Sequence, residues 1–459
     1  MTNPCDLSAT QLAAQYRAGA ISPVEVTQAV LARAEATQKT LNAFCFLAAE
    51  PALAAARQSG ERWRRGTPIG PLDGVPVSVK DNIQAAGMPT RYGSRAPVGG
   101  LPSAHDSPAV ARLREAGAVI FGKTTLPDFA HKIVTDSPLT GITRNPWNPD
   151  RTPGGSSGGA SAAIAAGIGP LALGTDGGGS IRVPAAFTGI FGFKPSFGRV
   201  PHHPRGAYAP VSHVGPMCRT VADAAVMMQA ITRPDRRDWC ALPADTSDYA
   251  PGTRGRLDGV RIGYSESLGL QAGIVAPEVQ QAIRRAANHL SAAGAIVESA
   301  EPESLQRSRD IHGIMWTSLS ARLARKVGDR RNLLDPSLLR LVEIGESLPR
   351  EALIDALLDR IDVGAEVAGF FDRFSLLISP VFPTVAPRLE EFPADNPPIP
   401  LLTSWCNQVG LPAASIPCGT DAAGMPIGMH IVGGRFADAT VLAACQTIED
   451  MLGIAPRPS

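Results

Sequence analysis

The sequence predicts an α/β protein built as one large unit, and three observations carry that reading. Short apolar runs of strand length (Val75–Val79, Ala118–Phe121, Pro170–Leu173, Val260–Tyr264) alternate with longer stretches of helical composition. Apolar residues make up 44% of the 459, enough to bury one large core. Length alone suggests about three domains, yet no low-complexity linker or block of like charge divides the chain.

Taken in order, Asp6 or Ser8 can cap a first short helix that ends near Gly19. Ser22-Pro23-Val24-Glu25 is a capping box with proline in the first turn, and it opens an amphipathic helix through Ala36. A further helix is expected over Glu50–Arg65. Val75, Val77 and Val79 fit a strand that closes on Lys80, with Pro76 pushing it towards an edge or a bulge. Ser107-Pro108 starts a helix over Ala109–Ala116, ended by Gly117, and Ala118–Phe121 is strand. Lys123, in a Gly-Lys-Thr segment, reads as structural. Thr143–Pro149 is a loop stiffened by prolines. Later, Phe187–Lys194 reads as strand, Thr220–Met228 as helix and Arg233–Gly255 as a polar, disordered-looking stretch. Val260–Tyr264 is strand and Glu278–Ala293 helix. Residues 301–374 read as several helices, Leu376–Ser379 as strand, Val409–Pro417 and Pro426–Val432 as paired strands, and Ala437–Leu452 as a closing helix.

Charge and cysteine content narrow the class. With 43 basic and 42 acidic residues, nothing recommends a nucleic-acid or membrane-surface partner. The 7 cysteines are scattered and form no Cys-x-x-Cys pair, as expected of reduced thiols in a reducing compartment. The polar opening Met1–Cys5 does not read as a signal peptide, and no apolar run is long enough to span a bilayer. The expectation is a soluble, cytoplasmic protein. His202 and His203 are adjacent and lack evenly spaced carboxylate or cysteine companions, so no metal is expected; Pro201–Tyr208 reads as a mouth loop.

The segment Gly154–Pro184 stands apart. It begins with Gly-Gly-Ser-Ser-Gly-Gly, continues through an alanine-rich helix over Ala160–Ile168 and a short strand, and ends with Gly177-Gly178-Gly179-Ser180. Loop, helix, strand and loop in that order return Ser156 and Ser180 to one place. A serine that attacks a carbonyl needs backbone N–H groups aimed at the developing oxyanion. Gly177 to Ser180 offer four consecutive donors, three without a side chain to block the approach. A linker would not be interrupted by an apolar strand, and the phosphate-loop pattern is absent. Gly155-Ser156-Ser157-Gly158-Gly159 satisfies the nucleophile-elbow pattern around Ser157, but a proline-rich loop stands where that elbow needs a strand.

This segment resembles, without a gap, the signature of the amidase signature hydrolases, and matching motifs extend over nearly the whole chain. The resemblance implies a single domain over 1–459, with a mixed sheet covered by helices on both sides and a catalytic core over 65–220. It implies Ser180, in Gly-Gly-Ser-Ile-Arg, as nucleophile and Ser156 as a bridging serine on a cis peptide bond. Lys80, in Val-Lys-Asp-Asn, would be the base. Such a lysine must be neutral although its ordinary pKa is roughly 10.4, and burial would lower it. Ser180 would attack while Ser156 relays its proton to Lys80. The amides of Gly177, Gly178, Gly179 and Ser180 would form the oxyanion hole, and water would release the acyl-enzyme, with no metal or organic cofactor. Pro127–Lys132 matches a family segment near the acyl side of the substrate, which makes Ala130 and His131 candidate substrate-binding residues. Gly177 departs from the family, whose members usually carry a larger residue, and would widen the acyl side of the pocket.

Residues 301–374 carry no serine–glycine motif and are the expected pocket wall, and Trp316 within them could line a pocket or sit in the core, the core being favoured. Leu401, Leu402 and Trp405 are expected to border an apolar pocket. Two functions follow from the resemblance. One is a stand-alone amidase for small apolar or aryl amides, with esters and carbamates in range. The other is the glutamine-hydrolysing A chain of a tRNA-dependent amidotransferase. That chain uses an acidic residue shortly before its Gly-Leu-Pro-Ala segment, and Ile399–Trp405 has none. The expected partner is a small amide substrate, with no nucleic acid and no membrane; a homodimer is compatible with the fold.

Overall fold

The computed structural model describes residues 3–96, 101–244, 247–391, 401–453 and 458. Thirteen strands appear among them. They are β1 (Phe44–Leu47), β2 (Pro76–Lys80), β3 (Val119–Thr124), β4 (Asp136–Ser137), β5 (Gly141–Ile142), β6 (Leu171–Asp176) and β7 (Phe191–Lys194), followed by β8 (His213–Cys218), β9 (Arg261–Tyr264), β10 (Ile296–Ser299), β11 (Leu376–Pro380), β12 (Ala413–Thr420) and β13 (Pro426–Gly433). Eleven form one sheet in the order β1-β3-β2-β6-β8-β7-β12-β13-β11-β9-β10, while β4 and β5 make a separate hairpin. The sheet is mixed: β3, β2 and β6 run parallel, as do β11, β9 and β10, and the intervening pairs are antiparallel.

Several sequence expectations are revised by the packing. Pro76 does not place its strand at an edge, because β2 lies between β3 and β6. Proline is accommodated as the first strand residue, and the register against β3 slips between Val77 and Ser78, in keeping with a bulge, the other expectation. Phe187–Lys194 is not all strand: a helix runs over Arg182–Thr188, Gly189 ends it at φ 67°, and only Phe191–Lys194 joins the sheet. The alanine-rich helix spans Gly158–Ala165, and each of its residues is buried. Small side chains let it lie within the core, which is why it shows no polar face. Arg233–Gly255 forms no helix or strand among its described residues, yet Asp238 within it is buried and takes hydrogen bonds from His202 N (2.9 Å) and Arg205 Nη2 (2.9 Å). The edge strands β1 and β10 had no counterpart in the sequence reading. All seven cysteines are free.

Candidate active site

The parallel strands β2 and β6 end on the same side of the sheet, the side where open α/β sheets place their ligands. Lys80 closes β2 and Thr175-Asp176 close β6, so the two meet laterally. Lys80 is fully buried, and its Nζ lies 2.7 Å from Ser156 Oγ, 2.8 Å from Ser157 Oγ, 3.0 Å from Thr175 Oγ1 and 3.3 Å from Thr175 O. Burial drives its pKa well below the ordinary lysine range, against the opposing pull of Asp176. Ser157 Oγ donates to Thr175 O at 3.1 Å, so its proton is committed and it accepts from Lys80. A neutral amine placed here would have two N–H bonds for Ser157 and Thr175 and a lone pair for the Ser156 hydroxyl.

Ser156 follows a cis peptide bond from Gly155. Ser156 and Ser180 border the same cavity, and no hydrogen bond joins their hydroxyls among the described residues. The loop carrying Ser180 is set by Asp176. Its carboxylate accepts from the amides of Gly179 (2.7 Å) and Ile181 (3.1 Å) and from Arg182 Nε (3.0 Å) and Nη2 (2.9 Å). Burial alone would raise the Asp176 pKa, but Arg182 holds it well below the carboxylate range. Arg182 in turn donates to Thr403 O (2.9 Å) and Asn407 Oδ1 (2.7 Å), with all of these groups inside the protein. One part of the oxyanion expectation changes here. The Gly179 amide faces Asp176, whereas those of Gly177, Gly178 and Ser180 make no hydrogen bond among the described residues. At φ 137°, and with Thr403 Oγ1 filling the space a Cβ would take, position 179 favours glycine.

The cavity is bordered by two aromatic stacks. Tyr92 lies on Phe129 (centroids 5.6 Å apart, 19° between planes) and Tyr208 on Trp316 (3.6 Å, 8°). Ala130, Ala207, Gly177, Asn82, Thr175, His202 and Ser212 complete most of the lining. Among the described residues, no aspartate, glutamate, lysine or arginine lines it. Trp316 is thus a cavity wall, the less favoured of its two readings, and it is held by Nε1–H donating to His131 O (3.0 Å). That carbonyl is the contribution of His131. Its ring turns away from the cavity, with Nδ1 2.7 Å from Asp128 O and Nε2 2.7 Å from Ser337 Oγ. Burial lowers its pKa to about 4. Of the two expected lining residues, only Ala130 borders the cavity. Leu402 and Trp405 lie in the hydrophobic core instead, Leu401 packs near Gly178, and residues 399 and 400 lie outside the described residues.

Sequence reasoning gave no role to Ser157, Thr175 or Tyr92, and it brought Phe129 near the substrate only as part of Pro127–Lys132. The first two adjoin motif residues, so adjacency was the available signal; Tyr92 carried none. Lys123, read as structural, is buried with Nζ 3.6 Å from Asp81 Oδ1 and 3.0 Å from Thr90 Oγ1. Among the described residues no cluster of His, Cys, Asp or Glu could hold a metal ion, and no helix is long and apolar enough to cross a membrane.

The eleven-stranded mixed sheet brings Ser156, Ser180 and a glycine turn to one cavity, with the buried Lys80 hydrogen-bonded to Ser156 behind them, an arrangement in keeping with an amide-hydrolysing enzyme. The Amidase family model matches residues 25–442, and the chain belongs to this family. It is 37% identical to the A chain of the glutamyl-tRNA(Gln) amidotransferase of Chloroflexus aurantiacus, with 96% of each chain covered. Among solved structures it is similar to a bacterial aryl acylamidase of the amidase signature family, at 32% identity and TM-score 0.87, covering 97% of this chain and 96% of that one. It is also similar to 6-aminohexanoate cyclic dimer hydrolase, at 27% identity and TM-score 0.89, covering 100% of this chain and 99% of that one.

Proposed function

We propose that this chain is a free-standing amidase that cleaves small, neutral, aromatic amides through Ser180, Ser156 and Lys80. The observation that carries this reading is the lining of the cavity, two aromatic stacks and no charged side chain among the described residues. A glutamine substrate brings an α-ammonium and an α-carboxylate, and removing both from water without counter-charges is costly. A flat neutral ring needs none and matches the stacked walls.

In this mechanism Ser180 Oγ attacks the amide carbon as Ser156 takes its proton and passes its own to the Lys80 lone pair. The free amides of Gly177, Gly178 and Ser180 receive the oxyanion. The proton returns through Ser156 to the leaving nitrogen, which cannot depart as an anion. Water then enters by the same relay and frees the acid from Ser180.

A second reading, the glutamine-hydrolysing component of an amidotransferase, is favoured by the identity to those proteins. One experiment separates the two. The purified chain is offered an anilide, an aryl carbamate and glutamine, with Ser180→Ala as the blank and amine or ammonia release as the signal. The free-standing amidase turns over the anilide or carbamate and leaves glutamine. Glutamine turnover alone, or activity only after a partner is added, refutes it.

A further inference from the structure

One polar side chain at the cavity has no part in the chemistry above. His202 borders the cavity and is only 4% exposed, and its Nδ1 is buried with no hydrogen-bond partner among the described residues. A buried polar atom without a partner is uncommon and is normally supplied by a ligand or an ordered water. The backbone around it is firmly built. His202 N–H donates to Asp238 Oδ2 (2.9 Å), which Arg205 also grips through Nη2 (2.9 Å), and the Arg205 guanidinium lies 4.6 Å over the Phe197 ring. The adjacent His203 is exposed, whereas His202 is buried and borders the cavity. Burial lowers the His202 pKa to about 3, with Arg205 adding to the shift and Asp238 opposing it. The ring is therefore neutral under working conditions and offers one donor and one acceptor.

We infer that His202 is a specificity-determining residue that holds a second neutral hydrogen-bonding group of the substrate, separate from the reacting carbonyl. This rests on the amidase reading above and sharpens its substrate class to aryl amides carrying a hydroxyl or carboxamide substituent. A charged substituent is disfavoured, because a neutral imidazole gives it no counter-charge and no other described residue of the lining does.

The test is a set of acetanilides bearing hydroxyl, carboxamide or methyl at each ring position. In the wild type, at least one polar isomer exceeds its methyl counterpart about ten-fold or more in kcat/KM, the difference lying mainly in KM. His202→Phe brings that ratio to about one, His202→Gln keeps part of it, and His203→Phe, at the exposed neighbour, leaves it unchanged. Absence of any polar preference in the wild type overturns the inference, as does a preference that survives in His202→Phe. Should His202→Phe not fold, the wild-type series and His202→Gln decide. A wild type that turns over the methyl anilides without polar preference defeats this inference alone, whereas one that turns over glutamine and no anilide defeats the amidase reading with it.

Discussion

Replacing Lys80 with methionine tests the central electrostatic claim about the site. The variant keeps an unbranched apolar stem in a fully buried position and removes the amine. In the native state burial holds the pKa of that amine well below the ordinary range, whereas in the unfolded chain it titrates at ~10.4. Between the depressed native pKa and ~10.4 the unfolded state binds one more proton than the native state, so this lysine makes stability rise with pH by ~1.4 kcal/mol per unit. Above its depressed native pKa and below ~10.4, the wild type should gain up to ~1.4 kcal/mol per pH unit over Lys80→Met, whatever the other titrating groups contribute, since both proteins share them. Urea unfolding of both at several pH values in that window measures the difference. In parallel, the variant should lose ~10²- to 10⁴-fold in amide turnover, the usual worth of a positioned base, or ~3–5 kcal/mol of barrier. Parallel stability curves would mean that Lys80 is charged in the native protein. Amide turnover retained in the variant would remove it from the relay.

Two further expectations follow from the packing. A side chain at Gly177 would place its Cβ 3.1 Å from Trp316 Cζ3, on a ring whose centroid is stacked 3.6 Å from that of Tyr208. Gly177→Val should therefore cost ~1–3 kcal/mol and sharply reduce kcat/KM for aryl amides, and Trp316→Leu should restore part of both; additive effects in that double-mutant cycle would refute the contact. Arg182→Met strands the buried Asp176 carboxylate, a loss of ~3–5 kcal/mol readable as a fall in the urea midpoint. An unchanged midpoint would show that Asp176 is held without its arginine.

The departure at Gly177 illustrates how the sequence and the fold divide the explanation. A missing side chain there suggested a wider pocket, but Trp316, far along the chain, comes to lie against that position. The sequence placed Trp316 in a helical stretch with apolar neighbours, and an indole suits a core and a cavity wall equally well. Similarly, His131 stands beside a cavity residue, yet a hydrogen bond to Ser337 turns its ring away. Phe187–Lys194 misled because an apolar run without a polar period fits a buried helix as well as a strand.

The sequence by itself determined the alternation of strands and helices and the return of Ser156 and Ser180 to one place, while Lys80 entered only through the family resemblance. Chemistry near a reacting serine demands small residues in a fixed local order, and a local order is visible in one dimension. Only the tertiary structure decided which amides remain free, since Asp176 claims that of Gly179 through a geometry that no spacing announces. It likewise decided the walls. Tyr92, Phe129, Tyr208 and Trp316 come from separate loops and helices, and whether an aromatic ring faces a core or a cavity depends on what packs behind it.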